Sequence, residues 1–333
     1  MLPAKDLNRI LELAGKDLEQ LRGARLFVTG GTGFIGKWLI ESLVHANREM
    51  GLGVKATLLT RTPSDVLPPA PEITLLQGDI KTFPLPSAQF THVIHGATEA
   101  SARLNREAPL EMLATIVEGT RRTLDLAAHC GRIPFLLLSS GAVYGKQPGG
   151  LTHVPETYSG GPDPLDPDAA YGEGKRMAEL LCAVYFREHG VQSKIARCFA
   201  FAGPHLPIDA HFAIGNFVRD RLRGGPICIG GDGTPRRSYL HAADLAVWLW
   251  RILVQGEANR PYNVGSERDY SIREIADAVA GDACMVEQAT APVAGAGASR
   301  YVPSTRRAAR ELGLLETYSL AACIESMIEW YRE

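Results

Sequence analysis

Apolar and polar positions along this chain follow two rhythms. Leu7, Ile10, Leu11, Ala14, Leu18 and Leu21 recur at helical spacing, which predicts a short amphipathic helix over residues 6–21. From Arg25 onward the pattern changes. The unbroken apolar runs RLFVTG, ATLLTR (56–61), ITLLQGD (73–79), THVIHGA (91–97), FLLLSS (135–140) and SKIARCF (193–199) predict strands. Helix-like stretches at 34–49, 107–130 and 171–189 fall among them. Strands that are apolar on both faces belong to a covered parallel sheet, so the pattern predicts an α/β fold with a doubly wound parallel sheet. Ligands of such sheets lie beyond the carboxyl ends of the strands. After Gly203 the alternation lapses and the rest reads as a smaller mixed α/β lobe. Residues 62–72 and the Gly/Pro-rich 146–170 read as loops, the second long enough to suggest function.

Composition narrows the partners. A formal charge of -2 over 333 residues leaves no electrostatic footprint for nucleic acid or an anionic membrane. No apolar run approaches the ~20 residues of a membrane span. Lys5, Asp6, Arg9, Glu12 and Lys16 interrupt any secretory h-region. The six cysteines (130, 182, 198, 228, 284, 323) include no CxxC pair and read as ordinary buried thiols of a reducing compartment. A soluble cytoplasmic protein without a metal site is expected.

Candidate chemistry begins at VTGGTGFIG, where Gly30, Gly31, Gly33 and Gly36 separate a strand from a helix. Free N–H groups at a helix start form an anion site, and glycines let a pyrophosphate approach the backbone. The spacing is G-x-x-G-x-x-G, and within a parallel sheet it points to a dinucleotide. Tyr171 and Lys175 in YGEGK share one helix face at i and i+4. An ammonium beside a phenol favours the phenolate, which predicts a general base working near neutral pH. Ser140 ends the strand 135–140, where its hydroxyl can steady a substrate oxygen. Taken singly, Y-x-x-x-K also fits an exposed Tyr with a solvated Lys, and Ser140 fits a turn cap.

Together TGGTGFIG, Asp79 of QGDI, HGAT (95–98), SSGAVYG, YGEGK and GDGTPRRSYLHAADLA (231–246) resemble the extended short-chain dehydrogenase/reductases, in particular the nucleotide-sugar epimerase/dehydratase branch. The resemblance runs from about Arg25 to the C-terminus. It implies a Rossmann domain over 25–200 and 238–264, a nucleotide-sugar lobe over 201–237 and 265–333, and a helical extension over 1–24. It implies that Gly30, Gly33, Phe34, Ile35 and Gly36 line the pyrophosphate. Asp79 and Ile80 would flank the adenine, and Ala97 the nicotinamide ribose. Ser140, Tyr171 and Lys175 would be catalytic, with Tyr171 and Lys175 also against the cofactor. Arg237 would grip the substrate diphosphate, and Asn216 and Phe217 would line its nucleotide pocket. Arg236 reads equally as a second phosphate contact or a solvated side chain. A homodimer through helices 107–130 and 171–189 is the family habit. Ala200 and Ile116 stand where many relatives carry Asn.

The cofactor follows from the second strand, which ends in Thr60 and Arg61 where an NAD-preferring chain usually has an acid; the nearest is Asp65. An arginine there suits a 2′-phosphate, so NADP is expected, with NAD possible. The implied reaction is hydride transfer at a sugar carbon by a nucleotide-sugar 4-epimerase or 4-ketoreductase. The alternatives are a dehydratase or decarboxylase on the same scaffold and a catalytically silent dinucleotide sensor. Gly141 and Ala142 follow Ser140 where relatives that eliminate water or CO2 carry acids, which argues against elimination. Glu99, just after HGAT, is the candidate substitute and a candidate substrate contact.

Overall fold

A computed structural model describes residues 1–63, 70–98, 101–210, 212–292 and 297–332. The chain divides into two compact units, one of residues 1–145, 160–198 and 246–262, the other of 146–159, 199–245 and 263–333.

The first unit is built on a seven-stranded sheet. Its strands include β1 (Arg25–Thr29), β2 (Lys55–Thr60), β3 (Ile73–Gln77), β4 (His92–His95), β5 (Pro134–Ser140) and β6 (Gln192–Cys198). In space they run β6-β5-β4-β1-β2-β3, with the strand Arg260–Val264 beyond β6, and every pairing among β1–β6 is parallel. The chain therefore builds outward from β1 to β3 and returns to β4 on the other side of β1. Such a reversal opens a crevice at the carboxyl ends of β1 and β4, where the glycine loop and HGAT begin.

Helices α1 (Ala4–Glu19), α2 (Phe34–Met50), α3 (Ala102–Glu107), α4 (Pro109–His129) and α5 (Ala170–His189) cover the sheet or its flanks. The helix that the sequence predicts over 107–130 is α4, and the short α3 that precedes it is separate. Pro109 is the cause: it lacks an N–H and forces the preceding residue out of helical geometry, and Ala108 sits at φ -145°. The core between sheet and helices is aromatic, with Phe27 stacked on Phe83 at 5.5 Å and Phe90 at 5.1 Å from Phe27. Burying a side chain of this size contributes about 1.5–3 kcal/mol. α1 lies against α2 and buries Ile10, Ala14 and Leu18. Its Asp17 carboxylate, 1% exposed, pairs with Arg251 at 2.9 Å and accepts a hydrogen bond from Gln255. Among the described residues no helix is long and apolar enough to cross a membrane.

The second unit mixes short strands and helices. Arg236–Ser238 is the middle strand of three, antiparallel to Asp269–Ser271 and parallel to Arg300–Tyr301. Arg237 lies opposite Tyr270 and Tyr301, so these three share one face, while Arg236, Ser271 and Arg300 share the other. Ser271 starts the helix Ile272–Ala280 with a capping box closed by Glu274.

Candidate active site

The glycine loop leaves β1 through Gly30 at φ +75°, a conformation that costs an L side chain about 1–2 kcal/mol. A Cβ there would also lie 2.6 Å from the carbonyl carbon of Gly96. A Cβ at Gly36 would collide with the Gly30 carbonyl oxygen and the Gly31 backbone. Gly30 and Gly36 thus let the β1–α2 turn close against the β4 exit. Gly33 is different: exposed, at extended φ and ψ, with only the Gly30 oxygen 3.5 Å from a Cβ position. As N-cap of α2 it offers no side-chain cap, and the first turn holds no acid. The N–H groups of Phe34, Ile35 and Gly36 therefore start the helix with no side chain drawn across them, which fits a pyrophosphate.

Ser140, Tyr171 and Lys175 meet at the end of β5. Ser140, 6% exposed, sits in extended backbone and its Oγ accepts the Ala142 N–H at 3.1 Å, capping the turn Gly141–Tyr144. Its side chain also hydrogen-bonds Tyr171. Lys175 is 4% exposed; its Nζ donates to the Leu138 carbonyl at 2.8 Å and to Thr98 Oγ1 at 3.2 Å. The ammonium stands 5.9 Å from the centre of the Tyr171 ring.

The electrostatics correct one expectation. Burial pushes the Tyr171 phenol up to about 12, against the opposing pull of the Ser140 hydrogen bond. Desolvation of the phenolate thus outweighs the Ser140 hydrogen bond, and the phenol is neutral at pH 7 rather than a ready phenolate. Lys175 is itself drawn down to about 8, by burial first. It remains an ammonium at neutral pH, close to its titration.

Several supporting residues gave no signal in the spacing. Asn105, from α3, accepts the Tyr171 N–H at 2.9 Å and donates to the Asp168 carbonyl at 2.7 Å, fixing the start of α5. Thr29 Oγ1 accepts the N–H groups of Gly96 and Ala97 at 3.2 and 3.1 Å and lies 2.8 Å from His95 Nδ1. His95 Nε2 reaches Thr120 Oγ1 at 3.0 Å, and burial lowers this imidazole to about 3, so it is neutral. Ile116 is fully buried, and a Cβ at Gly174 would lie 2.9 Å from its Cδ1, so an apolar contact packs α4 against α5 here.

The other sequence-derived positions fall as follows. Arg61 is exposed, one residue beyond β2. Asp79 caps its own turn by accepting the Lys81 N–H at 2.8 Å, and Ile80 is 8% exposed within the core. Glu173, the acid within YGEGK, pairs with Arg176 at 3.5 Å. Of the six cysteines expected to be buried, Cys182, Cys198 and Cys323 are, Cys130 and Cys284 are half-buried, and Cys228 is exposed on the short strand Ile227–Ile229, whose neighbouring residues face inward instead. Glu99 and Asp65 lie outside the described residues. In the second unit, Arg236 is claimed by Asp269 at 2.5 Å, an acid it shares with Arg300. Its neighbour Arg237 makes one hydrogen bond, to the Arg236 carbonyl, and no ion pair with a described acid. Asn216 accepts a hydrogen bond from Arg219 at 3.2 Å, and Phe217 is 4% exposed. Among the described residues no group of three or more His, Cys, Asp and Glu is placed to hold a metal ion.

The chain matches the NAD dependent epimerase/dehydratase family over residues 26–265. It is 33% identical over 258 residues to UDP-glucuronic acid decarboxylase 6 of Arabidopsis thaliana, covering 77% of this chain and 73% of that one. It is 30% identical to a dTDP-glucose 4,6-dehydratase of Streptomyces antibioticus, with 92% of each chain covered. The structure of the dTDP-glucose 4,6-dehydratase of Streptomyces venezuelae with NAD bound superposes with a TM-score of 0.77 at 26% identity, covering 92% of this chain and 97% of that one.

Proposed function

We infer that this chain, which belongs to the NAD dependent epimerase/dehydratase family, is an enzyme that epimerises or reduces a nucleotide sugar at C4 without eliminating water or CO2. The observation that carries the reading is the turn after Ser140. It presents Gly141 and Ala142, neither of which can donate or accept a proton, beside the Ser140–Tyr171–Lys175 group. Dehydration needs an acid and a base beyond those three, and loss of CO2 leaves a carbon that an acid must protonate; carbonyl/carbinol exchange needs neither.

The chain's own residues divide the work. The α2 start and the glycine loop would hold the dinucleotide pyrophosphate. Bound nicotinamide supplies hydride acceptance and return. On reduction the neutral Tyr171 Oη gives its proton to the carbonyl oxygen and becomes a phenolate; on oxidation the phenol first releases its proton to solvent, and the phenolate then takes the proton of the substrate hydroxyl. Ser140 Oγ, already hydrogen-bonded to Tyr171, steadies the same oxygen. The Lys175 ammonium stabilises the phenolate that forms, which at a resting value of about 12 is transient. Arg237, with no carboxylate claiming it, suits the substrate diphosphate as a guanidinium fork. Arg61, without an acid at the end of β2, favours NADP over NAD. Met177 and Leu180, exposed on α5, suit a homodimer through α4 and α5.

The names of the relatives support a second reading, decarboxylation or 4,6-dehydration, in which Glu99 would have to supply the missing acid. Incubation with UDP-glucose, UDP-galactose, dTDP-glucose, UDP-glucuronic acid and NDP-4-ketosugars, followed by NMR, separates the two. C4-inverted or C4-reduced sugar is expected, abolished by Tyr171→Phe with dinucleotide binding retained. A 6-deoxy-4-keto product or released CO2 would overturn the reading.

A further inference from the structure

One polar network behind the active site plays no part in the steps above. Glu179 lies on α5, one turn beyond Lys175. Its carboxylate forms a two-pronged pair with Arg197, at 2.6 Å to Nη2 and 3.0 Å to Nε, and accepts the Ser139 hydroxyl at 2.6 Å. Arg197 in turn donates to the Tyr144 hydroxyl at 2.8 Å and stacks over that ring at 4.8 Å. Each member is a near neighbour of an active-site group. Ser139 precedes Ser140, Tyr144 closes the turn that Ser140 caps, Arg197 precedes Cys198, and Cys198 is the register partner of Ser140. A buried pair of this kind stabilises little against an apolar replacement, so its placement calls for another account.

The charges around Lys175 supply it. From α5 it faces Tyr171 and Glu179, from β6 Cys198, and from β4 His95, with the Leu138 carbonyl and Thr98 hydroxyl as direct partners. Burial raises both the Tyr171 phenol and the Cys198 thiol to about 12, so both are neutral at pH 7, as is His95. Burial lowers Lys175, and Cys198 and then Glu179 oppose it; of these two, with the thiol neutral at pH 7, Glu179 is the one that bears a charge.

We propose that Glu179 is a positioning residue: held by Ser139 and by Arg197, which Tyr144 in turn supports, it ties α5, β5, β6 and the turn after Ser140 into one frame, and its charge keeps Lys175 an ammonium. The proposal rests on reading Tyr171 and Lys175 as the proton-handling pair. Losing that charge would leave Lys175 partly neutral at working pH, and a neutral amine stabilises no phenolate.

Lysine side-chain NMR titration of the full chain, with the Lys175 signal assigned from Lys175→Met, reads this directly. The wild-type midpoint is expected near 8. Glu179→Gln should lower it by about one pH unit, roughly tenfold less ammonium at a given alkaline pH. Arg197→Lys, which preserves both charges while losing the fork and the Tyr144 stack, should leave the midpoint within a few tenths of a unit. An unchanged midpoint in Glu179→Gln, or an equal fall in Arg197→Lys, would overturn the proposal. If Glu179→Gln does not fold, the neutral pair Glu179→Gln/Arg197→Gln decides. Its midpoint should still fall, because Glu179 is a turn from Lys175, and an unchanged midpoint would overturn the proposal. No nucleotide sugar enters this readout, so failure of every sugar to react would sink the proposed reaction and leave this result standing.

Discussion

Two alanine substitutions in one loop should have opposite consequences. At Gly36 the added methyl meets the Gly30 carbonyl oxygen and the Gly31 backbone, neither of which can move without opening the turn. Overpacking against backbone costs about 1–3 kcal/mol, which for a chain of this size lowers Tm by several degrees. At Gly33 the same methyl finds only the Gly30 oxygen at 3.5 Å, an ordinary contact, and the backbone is extended. The fold should lose about 0.5–1 kcal/mol there, the cost of a poorer N-cap. Binding should respond in the other order. The Gly33 methyl stands at the exposed mouth of the helix, where a pyrophosphate must approach the N–H groups. Losing one charge-assisted hydrogen bond costs about 1.5–3 kcal/mol, or roughly 10- to 150-fold in Kd. Differential scanning calorimetry and isothermal titration with NAD and NADP measure both quantities on each variant. Gly33→Ala with wild-type affinity for both dinucleotides would refute the placement of the pyrophosphate at α2.

Turnover on the true substrate should fall as pH rises through about 8, as Lys175 loses its proton. Stability should move the other way between about pH 8 and 9: burial lowers Lys175 and Lys194 from 10.5 to about 8, so there the unfolded chain binds more protons and the fold gains stability, until the Cys182 and Cys198 thiols, raised by burial from 9 to about 12, reverse the trend above pH 9. A pH–rate profile beside a pH series of Tm tests this, and a parallel decline of both would contradict it. Arg61→Ala should weaken NADP about tenfold and leave NAD nearly unchanged; tighter NAD binding that the variant does not alter would remove the preference. Arg237→Ala should weaken UDP and dTDP binding at least tenfold with Tm held, whereas Arg236→Ala should cost stability by leaving Asp269 with Arg300 as its one remaining arginine. Equal loss of dinucleotide affinity in Arg237→Ala would exclude a diphosphate role.

The sheet was legible because β1 and β5 carry apolar residues on both faces, as a strand covered on both sides does. Tyr171, Lys175 and Ser140 were legible because helix spacing and strand ends obey local geometry. Asn105, Thr29 and the Glu179–Arg197 pair were not. Their partners are set by which segments the fold brings together, and nothing in the local pattern distinguishes them from solvated polar residues. The charge state of Tyr171 was misread for a related reason. Spacing reveals that an ammonium is near, but the competing desolvation depends on packing, which only the folded chain displays.

The Asp17–Arg251 pair joins positions 234 residues apart, and the first unit takes its segments from both ends of that span. A ribosome releases the chain from the N-terminus onward, so α1 emerges long before its partner exists. Until residue 262 is clear, the first unit lacks both the Arg251 segment and most of its last strand. Local βα pieces can form early, but cooperative closure must wait for late synthesis. During that wait the β6 edge of the sheet stands bare, open to pairing with another nascent chain. Ribosome-bound chains halted before residue 250 should therefore be digested readily by protease, and chains halted well beyond residue 262 should resist.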